Sequence, residues 1–168
     1  MDKYINDADL FRFNQFLKGP GSEVYHEIGP NLPSVEEMFP EHVYYAILFR
    51  RNPNSTVGHW VVLIKFSDTV FEYFDCLGDP VPQPVIERLE EYAQGGEITL
   101  QRNSRSLMAR DGIICGKWVM FRLLCLPNGI AKFNAFFDSL LGKKRKMTAD
   151  AIVNFVVNIP YAEKSSAD

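Results

Sequence analysis

The amino-acid sequence predicts an α+β domain, with a mostly antiparallel central sheet flanked by helices. The chain has 168 residues, 46% of them hydrophobic, which is enough to bury the core of one domain. Its apolar patterns follow the order helix, strands, helix, strand, helices. Strands grouped together and followed by grouped helices are typical of the α+β class.

Two helices are predicted ahead of the sheet. Residues 6–18 carry apolar side chains at helical spacing, and the GPG at 19–21 ends that helix. Ser34 lies three residues before Glu37, which is the spacing of a capping box, so a short helix is predicted over 34–39.

Four apolar runs predict strands, because they are rich in β-branched and aromatic residues. They cover residues 43–49, 59–66, 70–76 and 97–101. The tight connection at 67–69 predicts that the second and third runs form an antiparallel hairpin. The remaining predicted elements are helices over 84–93, 113–126, 130–141 and 149–158, the last capped by Thr148.

Composition and charge exclude several classes of protein. The net charge of −3 does not indicate a nucleic-acid partner, and the basic run at 143–146 predicts only a solvated link. No apolar run approaches the roughly 20 residues of a membrane span, and the N-terminus lacks a signal-peptide pattern, so we expect neither a membrane partner nor secretion. Three unpaired cysteines indicate a reducing compartment. Their spacing to the histidines lacks a zinc pattern, so we expect no metal and no cofactor.

His59 and Asp75 are the first two candidate functional residues. His59 begins one strand of the predicted hairpin and Asp75 ends the next, so both should lie near the open end of the hairpin. A carboxylate beside an imidazole orients a general base and fixes its tautomer.

Cys115 is the third candidate, because it lies near the start of a predicted helix. The partial positive charge of a helix N-terminus favours a thiolate, which is the nucleophile of acyl transfer. Gly116 would allow close approach of the backbone, and the amide of Cys115 could help to hold an oxyanion.

Each of these residues also has a purely structural interpretation. A cysteine before a helix is commonly a core residue, a histidine at a strand end can be structural, and DCLGDP is typical of a turn. Cys76 follows Asp75 along a strand and should point to the opposite face as a core or turn residue. Cys125 is predicted to lie in the core. The order His, Asp, Cys, each at the end of an element, favours catalysis over these alternatives.

The motifs GHW, YFDCLGDPVP and CGKW together resemble the adenovirus-protease and Ulp1-like cysteine proteases. The phrase FEYFDCLGDPVPQPVIERL is most similar to the capsid-maturation proteases of adenoviruses, virophages, polinton-like elements and large DNA viruses. The resemblance covers about residues 40–158 and implies an adenain-like, papain-like fold. It implies His59 as general base, Asp75 as its orienting partner and Cys115 as nucleophile, with Trp60 packed under the histidine side of the cleft.

One residue of the family pattern is absent. The family places a glutamine six or seven residues before the cysteine to bind the oxyanion, and Ala109 and Met108 stand at those positions here. Backbone amides could replace it, or the side chain of Gln101, Asn103 or Arg110. Loss of one oxyanion donor costs about 10²–10³ in rate, so the departure affects activity more than fold.

The sequence thus predicts a monomeric single cysteine-protease domain over 1–168, with a core at 40–158, an N-terminal arm at 1–39 and a frayed tail at 161–168. The expected substrate is a viral capsid or other structural precursor, cleaved near small residues because Trp60 would narrow the cleft. The expected location is the virion or the cytoplasm of the infected cell. Two alternatives are an isopeptidase that removes ubiquitin-like proteins and a catalytically silent binding domain.

Overall fold

A computed structural model of the chain describes residues 23–27, 32–40, 43–50, 58–103, 106–108, 114–126, 129–141, 150–153 and 157. Several predicted features lie outside the described residues: the helix over 6–18, the basic link at 143–146, Thr148 and the tail at 161–168. The proposed division of the chain into an arm and a core therefore stays a prediction.

The described strands form one mixed sheet. In spatial order they are β1 (Glu23–Glu27), β2 (Tyr44–Arg50), β3 (Gly58–Lys65), β4 (Val70–Phe74) and β5 (Thr99–Arg102). The central pairs β2–β3 and β3–β4 are antiparallel, which confirms the predicted antiparallel centre and hairpin. The structure adds β1, and the outer pairs β1–β2 and β4–β5 are parallel because each connection crosses over through a helix.

Four of the predicted helices are present within two residues of their expected bounds. They are α1 (Val35–Met38), α2 (Gln83–Ala93), α3 (Cys115–Leu124) and α4 (Ile130–Leu141). The capping box of α1 is complete, because the Ser34 hydroxyl accepts the Glu37 N–H and the Ser34 N–H donates to the Glu37 carboxylate. Residues 150–153 and 157 are helical, as predicted for the last helix. None of the described helices has the length and apolar character to cross a membrane.

Both faces of the sheet are covered, which explains why the central strands are apolar along nearly their whole length. One face packs against α3, α4 and residues 153 and 157, and together they form the first core cluster. The strand residues in this cluster are Tyr44, Ala46, Leu48, Trp60, Val62, Ile64 and Phe74. The other face packs against α1 and α2, and together they form the second core cluster. The strand residues in this cluster are Tyr45, Ile47, Val61, Leu63, Phe71 and Tyr73. The alternation of side chains along each strand therefore assigns neighbouring residues to different cores.

A fully buried ion pair joins α3 to β4 inside the first core cluster. The Arg122 guanidinium donates to both carboxylate oxygens of Glu72, at 2.8 and 2.7 Å, and both side chains have no exposed surface. Arg122 also donates to the Cys125 carbonyl and lies 5.1 Å from the centre of the Phe133 ring. These contacts fix the helix that begins at Cys115 against the strand that leads to Asp75.

A second polar contact holds the helical residues 150–153 on α3. The indole N–H of the fully buried Trp118 donates to the Asp150 carboxylate at 2.7 Å. Trp118 lies about one turn after Cys115, so this contact supports the first turn of the helix.

We expect that removing one partner of the buried ion pair destabilises the protein more than removing both. Arg122→Met or Glu72→Leu alone leaves an unpaired buried charge and should cost about 3–5 kcal/mol in the free energy of unfolding, measured with urea. The double variant Glu72→Leu/Arg122→Met should regain most of that loss. A double variant as unstable as the sum of the single variants would contradict this account.

Candidate active site

His59 and Asp75 meet where the β3–β4 ladder ends. The last paired residues are Val62 and Phe74, so His59 lies three residues and Asp75 one residue beyond the final pair. The contact crosses between the strands diagonally, with the His59 Nε2 atom 2.6 Å from the Asp75 Oδ1 atom. The hairpin register thus brings together the two side chains that the sequence predicts at its open end.

Asp75 is at the same time the first residue of a tight turn. Its carbonyl accepts the Gly78 N–H at 2.8 Å, and its Oδ1 atom accepts the Leu77 N–H at 2.9 Å. Gly78 has a φ of 66°, a conformation that glycine adopts without steric cost. The hydrogen bonds of the DCLG turn therefore fix the carboxylate that faces His59. The structural interpretation of Asp75, as a turn residue, is thus compatible with the functional one.

Asn103 lies beside Asp75, directly after β5. Its side-chain oxygen accepts the Asp75 N–H at 3.1 Å, and its side-chain nitrogen donates to the Asp75 carbonyl. The residue is 2% exposed. Its amide is therefore directed at the Asp75 backbone, whereas the sequence suggested it as an oxyanion donor at Cys115.

Gln101, another suggested oxyanion donor, is exposed on β5 and pairs with Glu72, three residues before Asp75. At about 3.3 Å per residue, that position is about 10 Å back along the sheet from Asp75. Arg110, the third suggestion, lies outside the described residues, as does Ala109. Met108 is 2% exposed and its sulfur lies 3.8 Å from the Cys76 sulfur, so its side chain belongs to the core.

Cys115 is the first residue of α3, at the edge of the first core cluster. The Trp60 backbone N–H donates to the Cys115 sulfur at 3.5 Å, since Trp60 lies beyond the last β3–β4 pair. Ile114 caps the helix without a side-chain hydrogen bond, and Gly116 is buried beside the cysteine. The sulfur thus faces a backbone donor and a helix N-terminus.

The electrostatics of His59 depend on both of its neighbours. Burial by itself lowers the pKa of His59, but hydrogen bonds with Asp75 and then with Cys115 raise that pKa from 6.5 to about 10. The imidazole is therefore protonated at neutral pH, with a carboxylate and a sulfur as its partners.

Burial determines the electrostatics of two thiols, Cys76 and Cys125. Burial raises the pKa of Cys76 well above its ordinary value, and burial also raises the pKa of Cys125, which the charge of Arg122 partly opposes. Both are thus held as neutral thiols at neutral pH. Cys125 is half-buried at the end of α3, at the margin of the core cluster in which it was expected.

Cys76 has no exposed surface, as expected of a core residue, but it does not point away from the site. Its sulfur and the ligand atoms of His59 and Asp75 lie within 4.8 Å of one another, because the chain turns at Asp75 instead of continuing as a strand. Imidazole, carboxylate and thiolate can together hold a zinc ion. In this structure the imidazole and the carboxylate bond each other, and the Cys76 thiol donates to the Met108 sulfur at 3.8 Å.

Trp60 packs beneath the candidate site, in the core. It is 2% exposed and belongs to the first core cluster together with Cys115. A buried indole supports the site from below and cannot narrow an open cleft. The expected preference for small residues beside the scissile bond therefore loses its basis.

Two supporting residues were missed in the sequence although it carries a signal for them. Glu72 interrupts the apolar strand VFEYF and Arg122 interrupts the apolar helix VMFRLL. Opposite charges inside two apolar runs predict a buried pair, because an unpaired buried charge is too costly to retain.

Gly58 is required by a close approach of two backbones. A β-carbon at Gly58 would lie 2.3 Å from the Phe49 carbonyl oxygen and 2.8 Å from the Phe49 carbonyl carbon. Any other residue here would force β2 and β3 apart directly beside His59.

A scan of the chain against protein-family models finds no match, and a search of the curated proteins finds none either. Among solved structures, a selenomethionine form of the ASFV pS273R protease aligns at 20% identity and a TM-score of 0.32, covering 47% of this chain and 32% of that one. A second structure of the same protease aligns at 18% identity and a TM-score of 0.33, over 47% and 31%.

The SUMO protease Ulp1, solved with its catalytic cysteine oxidised to a sulfonic acid, aligns at 12% identity and a TM-score of 0.39. That alignment covers 71% of this chain and 65% of Ulp1. The aligned part thus spans about a third of the ASFV protease and just under two thirds of Ulp1. Because these identities and TM-scores are low, the functional conclusion rests on the geometry of the site.

We expect Gly58→Ala to weaken both the fold and the site, because the new methyl group meets immovable backbone. The free energy of unfolding should fall by roughly 1–3 kcal/mol, as for other overpacked positions. Gly129→Ala is the control, since a β-carbon there has open space, and it should change the free energy by no more than about 0.5 kcal/mol. Equal stability of the two variants, measured with urea, would contradict the close approach.

The raised pKa of His59 predicts how stability changes with pH. Because the pKa is higher in the folded state than the ordinary 6.5, the stabilisation is complete below pH 6.5 and is lost as the pH rises through about 10. Urea unfolding between pH 6 and 10.5 should therefore show a larger loss of stability for the native chain than for His59→Gln. Parallel pH profiles for the two proteins would show that the pKa of His59 is not raised.

Proposed function

We propose that this chain is a cysteine endopeptidase in which Cys115 is the nucleophile, His59 the general acid and base, and Asp75 the residue that orients His59. The observation that carries the proposal is the 2.6 Å contact between His59 Nε2 and Asp75 Oδ1, beside a Cys115 sulfur that accepts the N–H of Trp60, the residue after His59. Interactions with Asp75 and with Cys115 also outweigh burial and raise the pKa of His59 to about 10. A protonated imidazole beside a cysteine at a helix N-terminus is the environment that activates a thiolate.

Three groups support negative charge on the Cys115 sulfur. The Trp60 N–H donates to it at 3.5 Å, the His59 imidazolium lies beside it, and α3 directs its N-terminal dipole toward it. Burial raises the pKa values of Cys76 and Cys125, so both are poor nucleophiles at neutral pH.

The proposed reaction proceeds in two steps. The Cys115 thiolate attacks the carbonyl carbon of the scissile peptide bond, the C–N bond breaks, and the leaving amine takes the proton from His59. This leaves a thioester on Cys115 and a neutral imidazole. His59 then takes a proton from water, the resulting hydroxide attacks the thioester, and the carboxyl product leaves as the Cys115–His59 pair is restored.

The backbone is the proposed source of the oxyanion donors. The first N–H groups of a helix have no acceptor within that helix, and those of Cys115 and Gly116 lie at the start of α3. The buried side chain of Met108 has no hydrogen-bond donor, so it cannot replace the glutamine found in the family that the sequence resembles.

The proposed substrate is a viral capsid or other structural precursor, processed by a monomer in the virion or the infected cell. The motif resemblance over residues 40–158 supports this finer proposal. Co-expression with candidate precursors tests it: the native chain should generate new product termini, and Cys115→Ala should generate none. Cleavage of a SUMO–fluorophore conjugate instead would identify an isopeptidase.

We expect iodoacetamide to modify Cys115 selectively at neutral pH. Its alkylation, followed by mass spectrometry, should be at least about tenfold faster than that of Cys76 or Cys125, because burial raises the pKa values of those two thiols, whereas Cys115 lies at a helix N-terminus in contact with a backbone donor. His59→Ala should reduce the rate at Cys115 by about tenfold or more.

Cys125→Ala is the matched control for these experiments. It removes a half-buried thiol with a raised pKa and should keep both the alkylation of Cys115 and any cleavage. Equal labelling of all three cysteines, or none at Cys115, would overturn the proposal and favour the catalytically silent domain.

A further inference from the structure

Both polar groups of the Asp75 backbone, the N–H and the carbonyl, are hydrogen-bonded. Its N–H donates to the Asn103 side-chain oxygen, and its carbonyl accepts both the Gly78 N–H and the Asn103 side-chain nitrogen. Two of these three contacts come from one side chain. Asn103 is therefore the main connection between Asp75 and the neighbouring strand.

The contact continues the sheet beyond its last backbone pair. The parallel ladder between β4 and β5 ends at Tyr73 and Arg102, one residue before Asn103 and two before Asp75. Past that point the Asn103 amide offers an acceptor and a donor to one residue, as a neighbouring strand would. The Asn103 side chain thus makes the two hydrogen bonds that a paired strand would make, at the residue where the chain begins to turn.

Asparagine is specifically suited to this role. It combines an acceptor oxygen and a donor nitrogen on a short side chain, whereas an ionised aspartate only accepts and leucine does neither. Because Asn103 is 2% exposed, water is poorly placed to replace either bond.

We infer that Asn103 is a positioning residue, which fixes the Asp75 backbone so that the carboxylate keeps its contact with His59. The inference rests on the proposed function and assigns it a residue outside the His59–Asp75–Cys115 triad. The Asp75 Oδ1 atom lies 2.6 Å from His59 Nε2 and 2.9 Å from the Leu77 nitrogen, a geometry that a small rotation of the Asp75 backbone would lose.

The experiment measures the protonation of His59 directly. NMR titration of the imidazole in the native chain, Asn103→Asp and Asn103→Leu gives the pKa of His59 without any substrate. In both variants that pKa should fall from its raised value toward the ordinary value near 6.5. The rate of Cys115 alkylation at neutral pH should fall about tenfold, and the pH profile of alkylation should move with the His59 titration.

Thr99→Ala is the matched control, because Thr99 lies exposed on the same strand and pairs with Val70 at the far end of β4. It should leave the His59 titration and the alkylation profile unchanged. Near-ultraviolet circular dichroism identifies variants that keep the native fold, and Asn103→Ser provides a smaller change if Asn103→Leu does not fold.

The outcomes separate this inference from the proposed function. A native chain in which His59 titrates near 6.5 would count against the catalytic triad itself. A raised pKa that stays the same in folded Asn103 variants would overturn only the positioning role of Asn103. A lowered pKa in the Asn103 variants but not in Thr99→Ala would support it.

Discussion

The site depends on the buried ion pair between Arg122 and Glu72. Cys115 lies on a helix and Asp75 follows a strand, and the two elements are far apart in sequence. The bidentate contact fixes the helix against the strand in both translation and rotation, since both guanidinium–carboxylate bonds must be kept. Replacing both members of a buried pair of this kind with apolar residues is often neutral or stabilising, whereas removing one member is strongly destabilising. The pair thus holds the helix that begins at Cys115 against the strand that leads to Asp75.

The three residues of the proposed triad lie at the ends of elements. His59 lies at the start of β3, Asp75 just after β4 and Cys115 at the start of α3. Here β3 still pairs with β2, but its pairing with β4 has ended, and the first turn of a helix has no internal acceptors, so N–H groups become available for other acceptors. The N–H of Trp60 reaches the sulfur for this reason. The end of the backbone ladder between β3 and β4 thus leaves an N–H group that the site uses.

The three cysteines show how one chain gives the same side chain different chemistry. Cys76 lies close to His59 and Asp75, yet burial keeps it protonated. Cys125 is more accessible, and burial raises its pKa against the opposing charge of Arg122. Cys115 lies at a helix terminus and accepts a backbone N–H. Proximity to His59 and Asp75 is thus insufficient to make a thiol a nucleophile, because burial can keep it protonated.

The sequence by itself determined the α+β class, the hairpin, the bounds of the four fully described helices to within two residues, and the meeting of His59 with Asp75. These features follow from local periodicity, capping and turn chemistry, which depend on neighbouring residues. Only the tertiary structure decided the parallel outer strands, the inward position of Cys76 and the bonding of Asn103 to the Asp75 backbone. Each of these depends on which distant segments pack together and on where a ladder ends, and the local pattern of a chain does not encode either of them.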